Sequence, residues 1–142
     1  GVKPHDIASL VYDTNSVNRL GLLGRMLKKM EVLKAMNSVI LHLNANDLEE
    51  FDFKKGDTEG FVNYGLSLQG AKLSVFVAEK NGKVKMSFRS KGSFDVNKLA
   101  RKHFNGGGHM NAAGALSNLG LEETLQKLKT VVEEYREELE NY

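Results

Sequence analysis

The sequence contains the stretch Gly106-Gly107-Gly108-His109-Met110-Asn111-Ala112-Ala113-Gly114. Glycine has no Cβ, so three glycines in succession allow positive φ angles and the close approach of another group. A loop of this kind can direct several backbone N–H groups at one point, and the imidazole of His109 follows directly. These features favour binding of an anion such as phosphate. The alternative is a plain turn, because Gly106 follows a helical pattern and glycine commonly ends a helix.

Positive charge is concentrated just before this stretch. The chain of 142 residues has a formal net charge of only +2, yet residues 80–105 contain eight Lys or Arg residues and a single Asp. Such a cluster raises the local concentration of a polyanion. A solvent-exposed face of ordinary lysines is the alternative, and the sequence leaves both open.

Two segments of alternating polarity, 72–79 and 83–90, flank the dipeptide Asn81-Gly82. This dipeptide is typical of a β-hairpin, because both turn residues need positive φ. In the second segment the apolar residues share one face, and Ser87 and Arg89 project from the other. A hydroxyl beside a guanidinium suits an oxyanion, although a solvated strand face is again the alternative.

The remaining patterns are mainly helical. They predict a short helix over residues 4–12 and a longer one that Thr14, Asn15 or Ser16 can cap. The apolar stripe of the longer helix is Val17, Leu20, Leu23, Leu27, Met30 and Leu33. Further helices are expected from Asp57 or Thr58, after Asp95, and from Leu121 onward, the first two with acidic or hydroxyl caps. Two more strands are predicted at residues 38–44 and 112–117, the first of them continuously apolar.

Together these elements predict an α+β fold, a small mixed sheet of about four to five strands flanked by helices and preceded by a helical connector. The predicted boundary falls before residue 37, which separates residues 1–36 from a main domain of residues 37–142. The chain has no cysteine, which excludes a disulfide framework and any thiolate metal site and is typical of a reducing, cytoplasmic location. No apolar run approaches the ~20 residues that span a bilayer. Since the sequence opens on Gly1 rather than Met, we expect it to be part of a longer protein.

Hydrolytic machinery is not evident in the sequence. Asp, Glu and His residues do not occur at spacings typical of a metal site, and the glycines are followed by His109 rather than by the Lys and Ser/Thr of a phosphate-binding NTPase loop. The glycines follow a helix, whereas a dinucleotide-binding fingerprint follows a strand. The sequence therefore predicts a site that binds charge without cleaving the ligand.

Three motifs in this order resemble the DHH-associated domain, the C-terminal substrate-binding part of DHH-family phosphoesterases. The first two, Asp57-Thr58-Glu59-Gly60-Phe61-Val62-Asn63 and Ser87-Phe88-Arg89-Ser90-Lys91, are similar to the branch of oligoribonucleases and phosphatases of 3′-phosphoadenosine 5′-phosphate (pAp). The third is Gly106–His109 with the following Ala112-Ala113-Gly114. The resemblance covers residues 37–135, and the opening helices resemble the end of the family's N-terminal domain and its connector.

The resemblance implies a role in substrate binding. Arg89, His109 and the amides of Gly106, Gly107 and Gly108 are expected to hold the phosphate and nucleotide, with Ser87, Lys91 and Asn111 as further contacts. The family's two Mn²⁺ ions are bound by an N-terminal DHH domain, so this chain alone is expected to be inactive and to have no catalytic residue or metal ligand of its own. The implied partners are a short RNA or nucleotide and the DHH domain of the same protein, with no membrane; a homodimer is left open.

Other functions remain as alternatives. The same family includes enzymes for cyclic dinucleotides and for polyphosphate. A non-catalytic RNA-binding module would also use the basic segment, although few aromatic residues accompany it for base stacking. An assembly domain without any ligand is the fourth alternative.

Overall fold

A computed structural model describes residues 15–140 as a mixed sheet with helices on both faces. Its six strands are β1 (Glu31–Leu33), β2 (Ser38–Leu43), β3 (Leu73–Lys80), β4 (Lys83–Ser90), β5 (Asn105–His109) and β6 (Ala112–Ser117). The helices of this part of the chain are α1 (Val17–Lys28), α2 (Ala45–Glu50), α3 (Val62–Leu66), α4 (Val96–His103), α5 (Leu121–Glu134) and α6 (Arg136–Glu140). A 3₁₀ turn, Lys34–Met36, joins β1 to β2.

The strand order is β1-β2-β3-β4-β6-β5. Strands β2 and β3 are parallel, and every other neighbouring pair is antiparallel. Parallel strands cannot be joined by a tight turn, so the chain crosses over between them. This crossover consists of α2, an irregular segment and α3, and it lies on one face of the sheet.

The alternation of side chains divides the apolar residues between two cores. Ile40, Val75 and Phe88 point to the face that α4, α5 and α6 cover, where Leu99 and Leu128 are also fully buried. On the opposite face, the larger side chains are packed beneath α1 and the crossover: Leu22, Met26, Val39, Leu41, Leu43, Leu48, Phe61 and Phe76. This second core covers only the half of the sheet formed by β2 and β3.

The structure confirms the predicted α+β class, and the four predicted strands are present with bounds that differ by at most one residue. The Asn81-Gly82 turn has φ angles of 52° and 74°, as the hairpin requires. Asp95 caps α4 by accepting a hydrogen bond from the Lys98 N–H at 3.0 Å. Two strands, β1 and β5, were not predicted, which brings the sheet to six strands in the described residues.

Helix α1 differs from the prediction in its buried side. Of the three predicted cap residues, Ser16 caps the helix, because its hydroxyl accepts from the Arg19 N–H at 3.0 Å. The fully buried residues are Leu22 and Met26, however, which the predicted stripe did not include. Of the stripe, Leu23 and Met30 are half-buried against the second core, whereas Val17 and Leu20 are 85% and 53% exposed. The helix meets the crossover at Gly21, where an added Cβ would lie 2.5 Å from the Phe51 ring, and Leu22 and Met26 share the second core with Leu48.

Some predictions on the opening residues are settled only in part. The short helix over residues 4–12 lies outside the described residues. The boundary at residue 37 stays a prediction, but residues 31–33 form β1 of the sheet rather than part of a helical connector. Within residues 15–140, every helix is too short or too polar to cross a bilayer.

Candidate functional site

A cleft of about 520 Å³ opens where the crossover meets strands β3 and β4. The crossover forms one wall, mainly through an irregular segment that we name the wall loop (residues 54–61). The sheet forms the other side through alternating residues of one face, which are Phe76, Ala78, Lys80, Lys85, Ser87 and Arg89. The cleft therefore begins where the second core ends.

The cleft has an excess of positive charge. Its lining includes one carboxylate, Glu59, and four cations, Lys55, Lys80, Lys85 and Arg89. Among residues 15–140, none of the four cations forms an ion pair. The Arg89 guanidinium donates to the Phe88 carbonyl at 2.9 Å and has further N–H groups to offer. A polyanion that enters the cleft would meet four cations that form no ion pair with a carboxylate of residues 15–140.

The inner part of the cleft is apolar. Leu48, Val62 and Phe76 line it and are each less than 10% exposed, and Phe53 adds a half-buried ring. Lys80 Nζ lies 4.3 Å from the centre of the Phe53 ring. Aromatic and aliphatic side chains next to a few polar groups are typical of pockets that bind organic ligands. The lining thus suits a molecule with both an apolar ring and negative charge.

Arg89 and His109 lie in one row across the sheet. Arg89 of β4 pairs with Ala112 of β6, and Ala112 pairs with His109 of β5. Directly paired residues project from the same face, and the row spans two strand spacings, or about 10 Å. Arg89 lines the cleft, whereas His109 is exposed outside it, with only the methyl group of Ala112 between them. A ligand would have to extend from the cleft over Ala112 to contact both.

The glycine stretch is a strand rather than a loop. Gly106, Gly107 and Gly108 belong to β5, and the glycines with positive φ lie elsewhere in the described residues, so the prediction of a positive-φ loop is wrong. The prediction of close approach is confirmed, because a Cβ on Gly106 would lie 2.1 Å from the Gly114 carbonyl oxygen. Glycine is needed at positions 106 and 108 because a larger residue at either would push β5 away from β6, whereas a Cβ on Gly107 would meet only side-chain atoms of α4.

Two of the glycine amides have partners within the chain. The Gly106 N–H donates to the Phe104 carbonyl at 3.0 Å, and the Gly108 N–H donates to Asn97 Oδ1 at 2.8 Å. The expected set of free amides is therefore smaller than the sequence indicates. Ligand contact at these three glycines stays a prediction.

The structure gives Asn111 and Lys91 different surroundings. Asn111 lies in the turn between β5 and β6, where its side-chain amide donates to Ser90 Oγ and to the Gly92 carbonyl, both at 3.0 Å. It thereby ties this turn to the end of β4. Lys91 is exposed just after β4 and is not part of the cleft lining. Their proposed contacts with a ligand stay predictions.

Sequence reasoning did not select several residues of the cleft. Lys85 could have been found, because it alternates with Ser87 and Arg89 along β4. Lys55 and Thr58 carry no such signal, since they reach the cleft through the path of the wall loop. The helix predicted to begin at Asp57 or Thr58 is shorter than expected, because α3 begins at Val62 and has no side-chain cap. Asp57 instead accepts from the Lys54 N–H at 2.9 Å within the loop.

A metal centre does not fit the described part of the chain. Residues 15–140 contain no group of three or more His, Cys, Asp or Glu side chains that could hold an ion. The two-manganese centre that the resemblance implies therefore has no ligand set among these residues.

Comparison with known proteins identifies the family. The DHHA1 domain model matches residues 29–139, which is most of the chain. The chain belongs to the DHHA1 family. The Gly106–Gly114 stretch and the cleft both lie inside the matched region of this DHHA1 domain.

Two curated relatives carry the name bifunctional oligoribonuclease and PAP phosphatase NrnA. The protein from Thermus thermophilus is 38% identical over 84 residues, which is 58% of this chain and 25% of the relative. The protein from Bacillus subtilis is 36% identical over 73 residues, which is 51% of this chain and 23% of the relative. The DHHA1 chain thus spans about a quarter of the length of the curated relatives it matches.

Solved structures share the fold of this DHHA1 domain. An exopolyphosphatase-related protein from Bacteroides fragilis superimposes with a TM-score of 0.92 and 40% identity, over 98% of this chain and 41% of that protein. A pGpG-specific phosphodiesterase, PggH, from Vibrio cholerae gives a TM-score of 0.57 at 19% identity, over 82% of this chain and 38% of that protein. The second likeness shows the fold alone.

Proposed function

We propose that this DHHA1 domain binds the nucleotide part of the substrate in a phosphoesterase that hydrolyses short oligoribonucleotides, pAp or both. The observation that carries the proposal is the cleft beside Arg89, where unpaired cations adjoin an apolar wall. Nucleotides combine these two properties, since each has a flat base and a charged phosphate. The NrnA relatives supply the substrate class.

In this proposal different residues of the cleft contact the phosphates and the base of the ligand. Arg89 offers a fork of N–H donors to phosphate oxygens, and Lys85 adds a point charge two residues beyond the Ser87 hydroxyl on the same face. Phe53 and Phe76 contact the base. His109 and the β5 glycines receive a part of the ligand that extends over Ala112.

The hydrolytic step belongs to another part of the proposed enzyme. Mn²⁺ ions held by an N-terminal DHH domain would supply the activated water, and this domain would fix the substrate against them. The described residues themselves bind the substrate, orient it and neutralise its charge. The 142-residue chain alone is expected to bind substrate without turning it over.

A binding titration tests the proposal. Isothermal titration of the chain with pAp, AMP and an RNA dinucleotide should show saturable binding, and Arg89→Gln should weaken it by about tenfold or more, because charged hydrogen bonds contribute about 1.5–3 kcal/mol. Lys83→Gln is the matched control, since it removes one charge from the same strand outside the cleft. Equal weakening by both variants, or no binding by the wild type, would refute a specific nucleotide site.

Polyphosphate is the second candidate ligand, because a structural relative with 40% identity is described as exopolyphosphatase-related. The apolar inner wall argues for a nucleoside instead, since an inorganic chain gains nothing from Leu48 and Phe76. Competition separates the two: a nucleotide should displace polyphosphate from the cleft, and Phe53→Ala should weaken only the nucleotide. A non-catalytic RNA-binding module would instead bind long RNA better than dinucleotides, with a steep dependence on salt.

A further inference from the structure

Arg19 of α1 holds the wall loop through backbone carbonyl groups. Its Nη1 donates to the Asp57 carbonyl at 2.7 Å and to the Gly56 carbonyl at 3.3 Å, and its Nη2 donates to the Glu59 carbonyl at 2.8 Å. The guanidinium carbon also lies 4.8 Å from the centre of the Phe61 ring. One side chain therefore contacts four residues of the loop.

These contacts are not part of an ion pair. Arg19 Nε donates to the Asn15 side chain at 2.8 Å, and within residues 15–140 no carboxylate pairs with this guanidinium. The positive charge of the guanidinium is stabilised by the dipoles of three backbone carbonyl groups instead of by a carboxylate. Arg19 donates to these carbonyls and to Asn15 from three separate nitrogens, whereas the three N–H groups of a Lys ammonium share one nitrogen, so Lys cannot reproduce the arrangement.

The wall loop has few other restraints. Gly56 and Gly60 have φ angles of +95° and +82°, and a Cβ at either would meet no atom within 4 Å. Short turn hydrogen bonds, such as Glu59 N–H to the Gly56 carbonyl at 3.1 Å, act only within the loop. At its end the loop is anchored by Phe61, which is fully buried. Arg19 is thus the main described link between the middle of the loop and the rest of the fold.

Helix α1 is held in place independently of Arg19. Leu22 and Met26 are fully buried in the second core. Arg25 and Lys29, which lie further along the helix and at its C-terminal end, pair with Asp47 of α2. Loss of the Arg19 contacts should therefore release the loop without detaching the helix.

We propose that Arg19 is a positioning residue that fixes the wall loop and so sets the shape of the cleft and its affinity for a nucleotide. The loop supplies Lys55, Thr58 and Glu59 to the lining, so its displacement would move both a cation and a hydroxyl away from the ligand. The statement about affinity rests on the proposed function. The statement about the loop does not.

The test compares Arg19→Lys and Arg19→Gln with Arg25→Lys, a matched change further along the same helix that affects the Asp47 pair instead. Hydrogen exchange in the absence of ligand should be about tenfold faster at the amides of Asp57, Glu59 and Phe61 in both Arg19 variants. Circular dichroism should show both variants folded. Arg25→Lys should lower global stability without selective exchange in the loop.

Affinity provides the second measurement. Isothermal titration with pAp should give about fivefold to tenfold weaker binding for Arg19→Lys, and no comparable change for Arg25→Lys. Unchanged exchange in the loop would overturn the positioning role, and faster exchange with unchanged affinity would overturn its link to the cleft. If the wild type binds no nucleotide, the proposed function fails, and the exchange result alone decides whether Arg19 positions the loop.

Discussion

Replacement of Gly106 by alanine should destabilise the sheet at its β5 edge. The new Cβ would lie 2.1 Å from the Gly114 carbonyl oxygen, 2.7 Å from Ala115 Cα and 2.5 Å from Ala115 Cβ. Two of these three atoms belong to the backbone of β6, which is itself paired with β4 on its other side. Rotation of a side chain cannot relieve the contact, so one strand must move.

The structure indicates the size of the effect. Overpacking of this kind costs about 1–3 kcal/mol, and the backbone contacts place Gly106→Ala toward the upper end. Gly24→Ala is the opposite case, because Gly24 lies within α1 and its added Cβ would meet no atom within 4 Å. That substitution should gain up to about 1 kcal/mol from helix propensity. The two variants should therefore differ by about 2–4 kcal/mol.

Urea denaturation followed by circular dichroism measures both variants at the same pH and temperature. A decrease in the unfolding free energy for Gly106→Ala and an increase for Gly24→Ala would support the close packing of β5 on β6. If Gly106→Ala were as stable as the wild type within about 0.5 kcal/mol, β5 could move aside without cost. The steric account of the glycine stretch would then be refuted.

Three further predictions concern Asp47 and the cleft. Asp47→Asn should lower the unfolding free energy by about 1–3 kcal/mol in urea, because the buried carboxylate accepts from Arg25 at 2.7 Å, from the Asn44 N–H at 2.9 Å and from Lys29. Burial alone would raise the pKa of this carboxyl, but the hydrogen bonds from Lys29, Asn44 and Arg25 outweigh it and hold the pKa below its ordinary value. The stabilisation of the fold by Asp47 should therefore be complete above about pH 4 and be lost as the pH falls through the lower folded-state pKa. Below about pH 4 the stability of the wild type should then decline more steeply than that of Asp47→Asn. The urea midpoint of both proteins, measured at a series of acid pH values, tests this. Lys85→Gln should weaken pAp binding and lower its salt dependence by about one unit of slope in titrations at several salt concentrations, whereas an unchanged slope would place Lys85 away from the phosphates.

Local signals in the sequence predicted much of the fold. The hairpin at Asn81-Gly82 and the cap at Asp95 depend on residues that are close in the chain, and both are present. Strand β5 was missed because Gly106–Gly108 have no intrinsic preference for extended structure. These glycines form a strand because β6 lies beside them, which is a tertiary contact.

The cleft depends on features that a single sequence does not determine. Ser87 and Arg89 were predicted from the alternation of β4, and both line it. Lys55 and Thr58 reach the cleft only because β2 and β3 are parallel and their crossover passes over β3. The shared row of Arg89 and His109 likewise follows from the strand order β4-β6-β5. Periodicity along one strand contains no information about which strand lies next to it.

The position of the wall loop within the β2–β3 crossover has a consequence for how this family can diversify. Insertions or deletions in residues 54–61 would change the width of the cleft while the register of all six strands stayed the same. If the cleft binds the substrate as proposed, the size of the ligand could therefore vary between homologues independently of the hydrogen-bonded framework. A chimera that exchanges only this segment would be the direct way to transfer a preference for longer or shorter ligands.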